Sequence, residues 1–532
     1  MNRYEFKALR YIYEHCRTDN YEVISEAIEQ DEKNTKEIIG KLREKKLIDE
    51  SFAITKKGIE VLEPYRVKSA IILAAGMSTR FAPVSYELPK GLISVKGQVM
   101  TERLIEQLQE AGVREIVLVI GYMMEKFLYL REKYNVKLVV NNEFAKKNTH
   151  SSIYAARDYL SNTYICCADN YYPQNMFHQF EYRAFYCSVY LEGVSYVERA
   201  FTFDENDLII DTNKPSDNQW IMYGHAYYDQ RFTDAFKPIL ENYYGRPGVE
   251  QMYWETIYAE NVKKLPMYIK KCKPSDILEF DSMEELKAFD NDYIRNNRVK
   301  VFENICKILC CELEDIKDIE QITRGLNNRS FKFMCKGEEY IYRHPGINAS
   351  NVIDRKKEAV SLKIAKKLNI DETLTWVDEE EGWKISKYVN ITEEFDFSNY
   401  RHIKMLAKSL KKLHGSKICV GFSFDYHVEA ERLIDRIRHI DSMAYRELLS
   451  TREKVEPLFK FIEESPWEIS LCHNDLYEPN LLVSGENLNI IDWEFAGDSD
   501  IGFDICKLFS VEKIAYEEID KYVQYYFRRQ TT

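Results

Sequence analysis

The chain has 532 residues, about three typical domain lengths, so a single hydrophobic core does not account for it. Hydrophobic residues at 45% and charged residues at 30% exclude a disordered chain. Lys+Arg 74 against Asp+Glu 87, net −13, exclude whole-chain coating of nucleic acid or adsorption to an anionic membrane, which need a basic excess. The opening Met1-Asn2-Arg3-Tyr4-Glu5 is charged where a signal peptide needs an apolar run. No later stretch reaches the ~18 apolar residues of a membrane span. The 12 Cys are scattered, with no C-x-x-C spacing, which points to reduced thiols and a cytoplasmic enzyme.

Residues 1–66 predict three short helices, marked by Phe6, Leu9, Ile12 and Tyr13, by Val23, Ala27 and Ile28, and by Ile38, Ile39 and Leu42. Leu47-Ile48 and Phe52-Ala53-Ile54 predict a small hairpin. Thr55 then caps a helix from Lys56 to Leu62, which Pro64 stops. Three helices and a two-stranded wing resemble a winged-helix module, and Ile54-Thr55-Lys56-Lys57-Gly58 is similar to the wing-to-helix segment of MarR-like regulators. The resemblance implies DNA contact through the third helix, with Lys41, Arg43, Lys45 and Lys46 on phosphates. Glu29, Asp31, Glu32, Glu37 and Glu44 lie among those bases. The mixed surface favours a docking or regulatory module, since phosphate binding needs unbalanced positive charge.

Residues 67–296 alternate strand and helix patterns: strands at Ser69 to Ala74, Ile116 to Ile120, Lys137 to Val140 and Tyr164 to Cys167, and a helix at Thr101 to Ala111. That alternation predicts an α/β domain with a largely parallel sheet. The first strand runs into Leu73-Ala74-Ala75-Gly76-Met77-Ser78-Thr79-Arg80, then Pro83 and Leu88-Pro89-Lys90. Small residues let backbone N–H groups approach a phosphate, and a following helix start adds its dipole. Arg80 and Lys90 neutralise the charge developing on a triphosphate. This string resembles the signature of the sugar-nucleotide and phosphocholine nucleotidyltransferase superfamily, which implies a Rossmann-like domain.

The resemblance implies further roles. Ser151, in Asn148-Thr149-His150-Ser151-Ser152, lies in a segment that helps hold base and substrate. Asp169 and Asp281 fall where the family binds metal, with Mg²⁺ suited to two carboxylates and phosphate oxygens. Cys167 stands where many relatives carry a second acid. Ile120-Gly121-Tyr122 and Met252-Tyr253-Trp254-Glu255-Thr256 are similar to CTP:phosphocholine cytidylyltransferases of the bacterial choline-incorporation type. A quaternary ammonium is recognised by aromatic faces and a carboxylate, which makes Tyr196, Trp220, Tyr253 and Trp254, with Glu255, candidates for its cage.

Residues 297–532 open with a helix, then strands, then helices. Cys472-His473-Asn474-Asp475-Leu476-Tyr477-Glu478-Pro479-Asn480 and Ile490-Ile491-Asp492-Trp493-Glu494 form an H-x-D-x-x-x-x-N loop and an apolar strand ending in Asp. They are similar to a kinase catalytic loop and its metal Asp. Asp475 would take the substrate hydroxyl proton, and Asn480 and Asp492 would hold Mg²⁺ on ATP. Upstream, Thr323-Arg324-Gly325-Leu326-Asn327-Asn328 resembles the nucleotide loop of choline kinases. Arg343 sits where that family uses Arg on phosphates, with Glu358 as its helix partner, and Tyr388 lies in a hinge along adenine. The whole segment resembles the choline/ethanolamine kinase and aminoglycoside phosphotransferase group. Kinases of that group usually continue with a helical stretch whose aromatics enclose choline. Here the sequence ends at Thr532, so either Tyr477, Trp493 and Tyr525-Tyr526-Phe527 close the pocket or the kinase-like domain is shortened at its C-terminus.

Two such motif sets on one multidomain α/β and α+β chain imply consecutive steps. ATP phosphorylates choline, and CTP then gives CDP-choline and pyrophosphate. The same motifs also fit a sugar-1-phosphate nucleotidyltransferase fused to a sugar kinase, or a DNA-binding regulator with metabolite-sensing domains.

Overall fold

The computed structural model describes residues 1–532 except 16–19, 78–80, 193–198, 214–217, 281, 298, 323–327, 347–352, 439–441, 512–518, 520–522, 524 and 528–532. Arg80, Tyr196, Asp281 and Asn327 therefore lie outside the described residues. The chain divides into two compact units, Met1–Lys300 and Val301–Thr532. No helix among the described residues is long and apolar enough to cross a membrane.

The first unit begins with helices α1 (Arg3–His15), α2 (Tyr21–Ile28), α3 (Glu32–Glu44) and α4 (Lys56–Leu62). Asp31 caps α3, and Thr55 caps α4 through the Gly58 N–H. The wing is smaller than the sequence predicts, a single antiparallel bridge between Ile48 and Ile54. Asp49 explains the shortening. Its carboxylate accepts the N–H groups of Ser51 and Ala53 at 2.8 and 2.9 Å, closing the turn before a ladder can extend.

This module packs on the segment around Phe180. The Phe180 ring is fully buried in the module's apolar core with Phe6, Leu9 and Leu62. Val67 N–H donates to Gln179 O, and Glu181 N–H donates to Tyr65 O, both at 2.9 Å. Arg10 Nη1 pairs with Glu181 at 3.1 Å, and the Tyr164 hydroxyl donates to the same carboxylate at 2.8 Å. Of the predicted phosphate contacts, Lys45 pairs with Glu5 at 2.7 Å and Arg43 lies over the Phe52 ring.

The following sheet comprises β1 (Ser69–Ala74), β2 (Glu115–Ile120), β3 (Lys137–Val140), β4 (Thr163–Cys167), β6 (Phe185–Leu191), β7 (Ala200–Phe203), β8 (Ile209–Asn213), β9 (Gln219–Tyr228) and β10 (Tyr268–Cys272). The short β5 (Asn170–Tyr171) pairs separately with β11 (Leu278–Glu279). The main order is β8-β7-β9-β4-β1-β2-β3, with β6 joined to β9 and β10. β1, β2, β3 and β4 run parallel. β1 is buried on both faces, which is why it reads as an unbroken apolar run. Helix α5 (Met100–Glu110) covers one face, and α6 (Thr149–Ala155), α7 (Gln230–Tyr244) and α8 (Trp254–Glu260) cover the other.

The second unit has an antiparallel sheet ordered β12-β13-β14-β16-β15: β12 (Ile316–Ile322), β13 (Asn328–Cys335), β14 (Glu338–Pro345), β15 (Leu374–Val377) and β16 (Lys384–Lys387). Helix α9 (Arg355–Lys367) lies between β14 and β15, and α10 (Tyr400–Gly415) follows β16. Two antiparallel pairs follow: β17 (Ile469–Cys472) pairs with β20 (Gly497–Asp500), and between them in sequence β18 (Leu481–Ser484) and β19 (Asn487–Ile490) form a hairpin. Helix α11 (Ile501–Val511) ends the regular structure relevant here.

Candidate active sites

The carboxyl ends of β1 and β4 open a cavity of about 450 Å³, the crevice where open α/β sheets bind ligands. Leu73, Ala74, Ala75 and Gly76 line it, with Lys90, Cys167 and Asp169 opposite. Lys90 is 6% exposed, and its Nζ donates to Asp169 Oδ2 at 2.9 Å. That approach depends on Gly91: a Cβ there would meet Thr101 Oγ1 at 2.7 Å and Ala168 Cβ at 2.8 Å. Residues 78–80, where a helix start would follow Gly76, lie outside the described residues. The described part beyond them runs through the 3-10 turns Val84–Tyr86 and Lys90–Leu92, and the next α-helix among the described residues is α5. Prolines at 83 and 89 account for the short turns, because the residue before a proline is driven out of helical conformation. What this stretch turns toward the cavity is the backbone of Ala74, Ala75 and Gly76 and the Lys90 side chain.

Asn148 caps α6, and Asn148, Thr149 and Ser152 line the cavity. Ser151 does not. It is 1% exposed, donates to Asn148 O at 2.8 Å and accepts from Asn141 at 2.9 Å. One residue along a helix turns the side chain by about 100°, which separates the two serines. His150 is bonded to Met252 O at 2.6 Å, and Thr149 Oγ1 accepts the Trp254 N–H at 3.1 Å. The motif thus ties down the loop that carries Tyr253.

Among the described residues, Tyr253 alone of the expected aromatic cage lines the cavity, and it is exposed. Trp254 is 2% exposed, stacked on Tyr186 and packed among Tyr228 and Phe236 in the sheet's core. Trp220, on β9, packs beside Tyr190. At the start of α8, successive residues point in different directions, so only one of Tyr253 and Trp254 reaches the cavity. Glu255 Oε1 accepts the Tyr186 hydroxyl at 3.2 Å, while Oε2 is buried without a hydrogen-bond partner. Burial pushes its carboxyl up to about 7. Burial, then the charges of Asp169 and Glu255, raise the Cys167 thiol. β11 runs beside β5, setting Glu279 opposite Asn170, next to Asp169.

In the second unit, Asp475 and Asp492 belong to one polar cluster. Asn480 Nδ2 donates to Asp475 O at 3.0 Å, and its Oδ2 lies at 3.5 Å. The hairpin β18–β19 spans Asn480 to Asp492, and Ile491 N–H donates to Asn480 O at 2.9 Å. Arg343 makes two bonds to Glu358, and its Nη1 lies 3.9 Å from Asp492. Burial works to raise the Glu358 carboxyl, but Arg343 overrides it and holds the group at about 2. Tyr388 N–H donates to Glu339 O at 2.9 Å, leaving its ring partly exposed beside Lys332. Tyr477 is half-buried, and burial with the charges of Asp475, Asp492 and Glu494 raises its hydroxyl.

Trp493 is a correction. It is fully buried, donates from Nε1 to Ile490 O at 2.8 Å and stands edge-on to His473. The left-handed φ of Asp492, 69°, lies at the turn where the indole enters the core while the carboxylate stays 32% exposed. The Tyr526 hydroxyl lies 2.7 Å from His414 Nδ1.

Three features escaped the sequence reading. Asp504, buried on α11, accepts the N–H groups of His473 and Asn474 at 2.9 and 2.8 Å and bonds His414 Nε2 at 3.0 Å. It pins Asn474 at a left-handed φ of 63° beside Asp475. A lone acid in the apolar run Ile501 to Leu508 was the available signal. His414, Cys472 and Asp504 gather three ligand-type atoms within 4.8 Å, but those backbone N–H groups already occupy the carboxylate. Glu494, two residues past Asp492, is raised to about 7 by burial and then by the Asp492 charge. Two adjacent acids with surplus negative charge fit a divalent cation with oxygen ligands.

Comparison with known proteins matches two families to separate parts of the chain. The MobA-like NTP transferase domain family matches residues 70–180, and the choline/ethanolamine kinase family matches residues 319–526. The choline-phosphate cytidylyltransferase of Streptococcus pneumoniae is 32% identical over 224 residues, 42% of this chain and 96% of that protein. The 2-aminoethylphosphonate cytidylyltransferase of Lancefieldella rimae is 36% identical over 230 residues, 42% of this chain and 93% of that protein. The crystal structure of choline kinase LicA from Streptococcus pneumoniae aligns with a TM-score of 0.38 at 22% identity, over 44% of this chain and 80% of that one. The chain belongs to the cytidylyltransferase family that holds the choline-phosphate and 2-aminoethylphosphonate enzymes, joined on one polypeptide to a choline/ethanolamine kinase domain.

Proposed function

We propose that the chain makes CDP-choline in two steps, phosphorylating choline with ATP and then transferring CMP from CTP to phosphocholine. The single observation that carries the reading is the pairing of a cytidylyltransferase cavity, floored by Lys90 and Asp169, with a choline/ethanolamine kinase domain.

In the kinase unit Asp475 takes the proton of the choline hydroxyl, and the freed oxygen attacks the γ-phosphorus as the bond to the ADP oxygen breaks. Asp504 holds the Asp475 loop, and Arg343, steadied by Glu358, offers its charge to the phosphates. In the first unit a phosphate oxygen of phosphocholine attacks the α-phosphorus of CTP, and the bond to the β-phosphate oxygen breaks to release pyrophosphate. Lys90 and Arg80 balance the charge on that phosphorus. Mg²⁺, held by Asp492 and Asn480 in one unit and by Asp169 and Asp281 in the other, would supply electrostatic stabilisation of the phosphates. Tyr253, on the cavity wall, suits an ammonium headgroup.

Phosphonate use is the second reading, favoured by the 36% identity to the 2-aminoethylphosphonate enzyme and by the burial of Trp254 in the core, away from the cavity wall. The purified chain with Mg²⁺, ATP and CTP is offered choline, ethanolamine, phosphocholine or 2-aminoethylphosphonate, and both product classes are followed. Formation of CDP-choline from choline meets the proposal. A cytidylylated product from 2-aminoethylphosphonate alone would replace it, and none from any acceptor would refute both readings.

A further inference from the structure

A ring of polar contacts in the kinase unit passes through two residues with no assigned role. Asn328 opens β13, directly after residues 323–327. Its Nδ2 donates to Glu494 Oε2 at 3.3 Å, and its Oδ1 accepts from Arg355 Nη2 at 3.1 Å. Arg355, in the first turn of α9, donates from Nη1 to Glu358 Oε2 at 2.8 Å. Glu358 pairs with Arg343, whose Nη1 lies 3.9 Å from Asp492. The path therefore leaves the Asp492–Glu494 turn at one carboxylate and returns to it at the other. It crosses the start of β13, the first turn of α9 and the middle of β14. Arg343, Arg355 and Glu358 are 5, 7 and 1% exposed, so water does not substitute for the bonds that Glu358 makes to the two arginines.

An Asn is well suited to the junction. It joins a carboxylate, which only accepts, to a guanidinium, which only donates, by using both ends of one amide. Without it, Glu494 would face Asp492 with no donor of its own, and Arg355 would lose its link to the nucleotide-binding strand.

We propose that Asn328 and Arg355 are positioning residues for phosphoryl transfer: they fix Glu494 beside Asp492 and lock the nucleotide-binding strand to the acid turn that meets the metal–ATP complex. The proposal rests on the kinase reading above. The full-length chain and its Asn328→Ala and Arg355→Lys variants are titrated calorimetrically with a non-hydrolysable ATP analogue, with and without Mg²⁺, and assayed for choline phosphorylation. Metal-free affinity is expected to stay within about threefold, which also reports that the kinase unit is folded. The gain in affinity on adding Mg²⁺ falls about tenfold in Asn328→Ala and less in Arg355→Lys, and kcat falls while KM for choline is kept. An unchanged Mg²⁺-dependent gain in both variants overturns the proposal. So does an equal loss of metal-free and metal-dependent binding, which a purely structural role would produce. If the unaltered chain binds the analogue but phosphorylates no amine, the kinase reading fails instead, and the binding comparison still decides the positioning role.

Discussion

Lys90 and Asp169 meet at 2.9 Å on the cavity floor, so Asp169→Ala removes both a candidate metal oxygen and the group that aims Lys90. CDP-choline formation should fall by at least three orders of magnitude, while choline phosphorylation continues and phosphocholine accumulates. Chromatography of the two products from one incubation checks both halves of that outcome. Glu358 makes a different prediction. Its folded carboxyl lies at about 2 against an ordinary 4.5. A carboxyl lowered on folding stabilises the protein above its unfolded value and loses that contribution as pH falls toward the folded one. Kinase-unit stability should therefore drop between pH 4.5 and 2. Glu358→Gln should flatten that slope and cost about 3–5 kcal/mol at neutral pH, because two arginines are left buried without their partner. Hydrogen exchange on the kinase unit against pH reads both effects. At this scale the motif residues were legible, since Lys90, Asp169, Arg343, Glu358 and Asp475 fall in short strings with fixed spacing. Trp254 and Trp493 were not. Their neighbours in sequence reach the site, but which way an indole turns is decided by a helix start in one case and a left-handed residue in the other.

The strap from His178 to Tyr182 matters beyond its length. Phe180 fills the apolar core of the N-terminal helices, while Glu181 bonds Tyr164 in the strand that leads to Asp169. Phe180→Ala should destabilise the first unit by about 3–5 kcal/mol through the cavity it leaves, measured by thermal denaturation. CMP transfer should be lost at a lower temperature than in the unaltered chain, with kinase activity keeping its own melting profile. Elements driven by local chemistry were readable in advance, as with Thr55 capping α4 and the apolar run of β1. The strap was not. Its ring is buried by residues more than a hundred positions away, and no local periodicity records such a contact. The wing was over-read, because Asp49 acts on the backbone more strongly than the pattern around it.

Across the whole chain, the two activities should come apart cleanly. Asp475→Ala is expected to abolish phosphorylation of choline while CMP transfer to supplied phosphocholine proceeds at the unaltered rate, followed by pyrophosphate release. The net −13 does not oppose this chemistry. Lys90 and Arg343 are each held by a carboxylate, so the local field at each candidate site is set by such pairs rather than by bulk charge. Composition changes suggested three blocks, whereas the chain packs as two compact units. The Phe180 strap makes that difference tangible to a protease. A limited digest should yield two resistant fragments with the break near Lys300, and none that ends near Arg66, because unravelling the first sixty-six residues would first require pulling an aromatic plug out of their own centre.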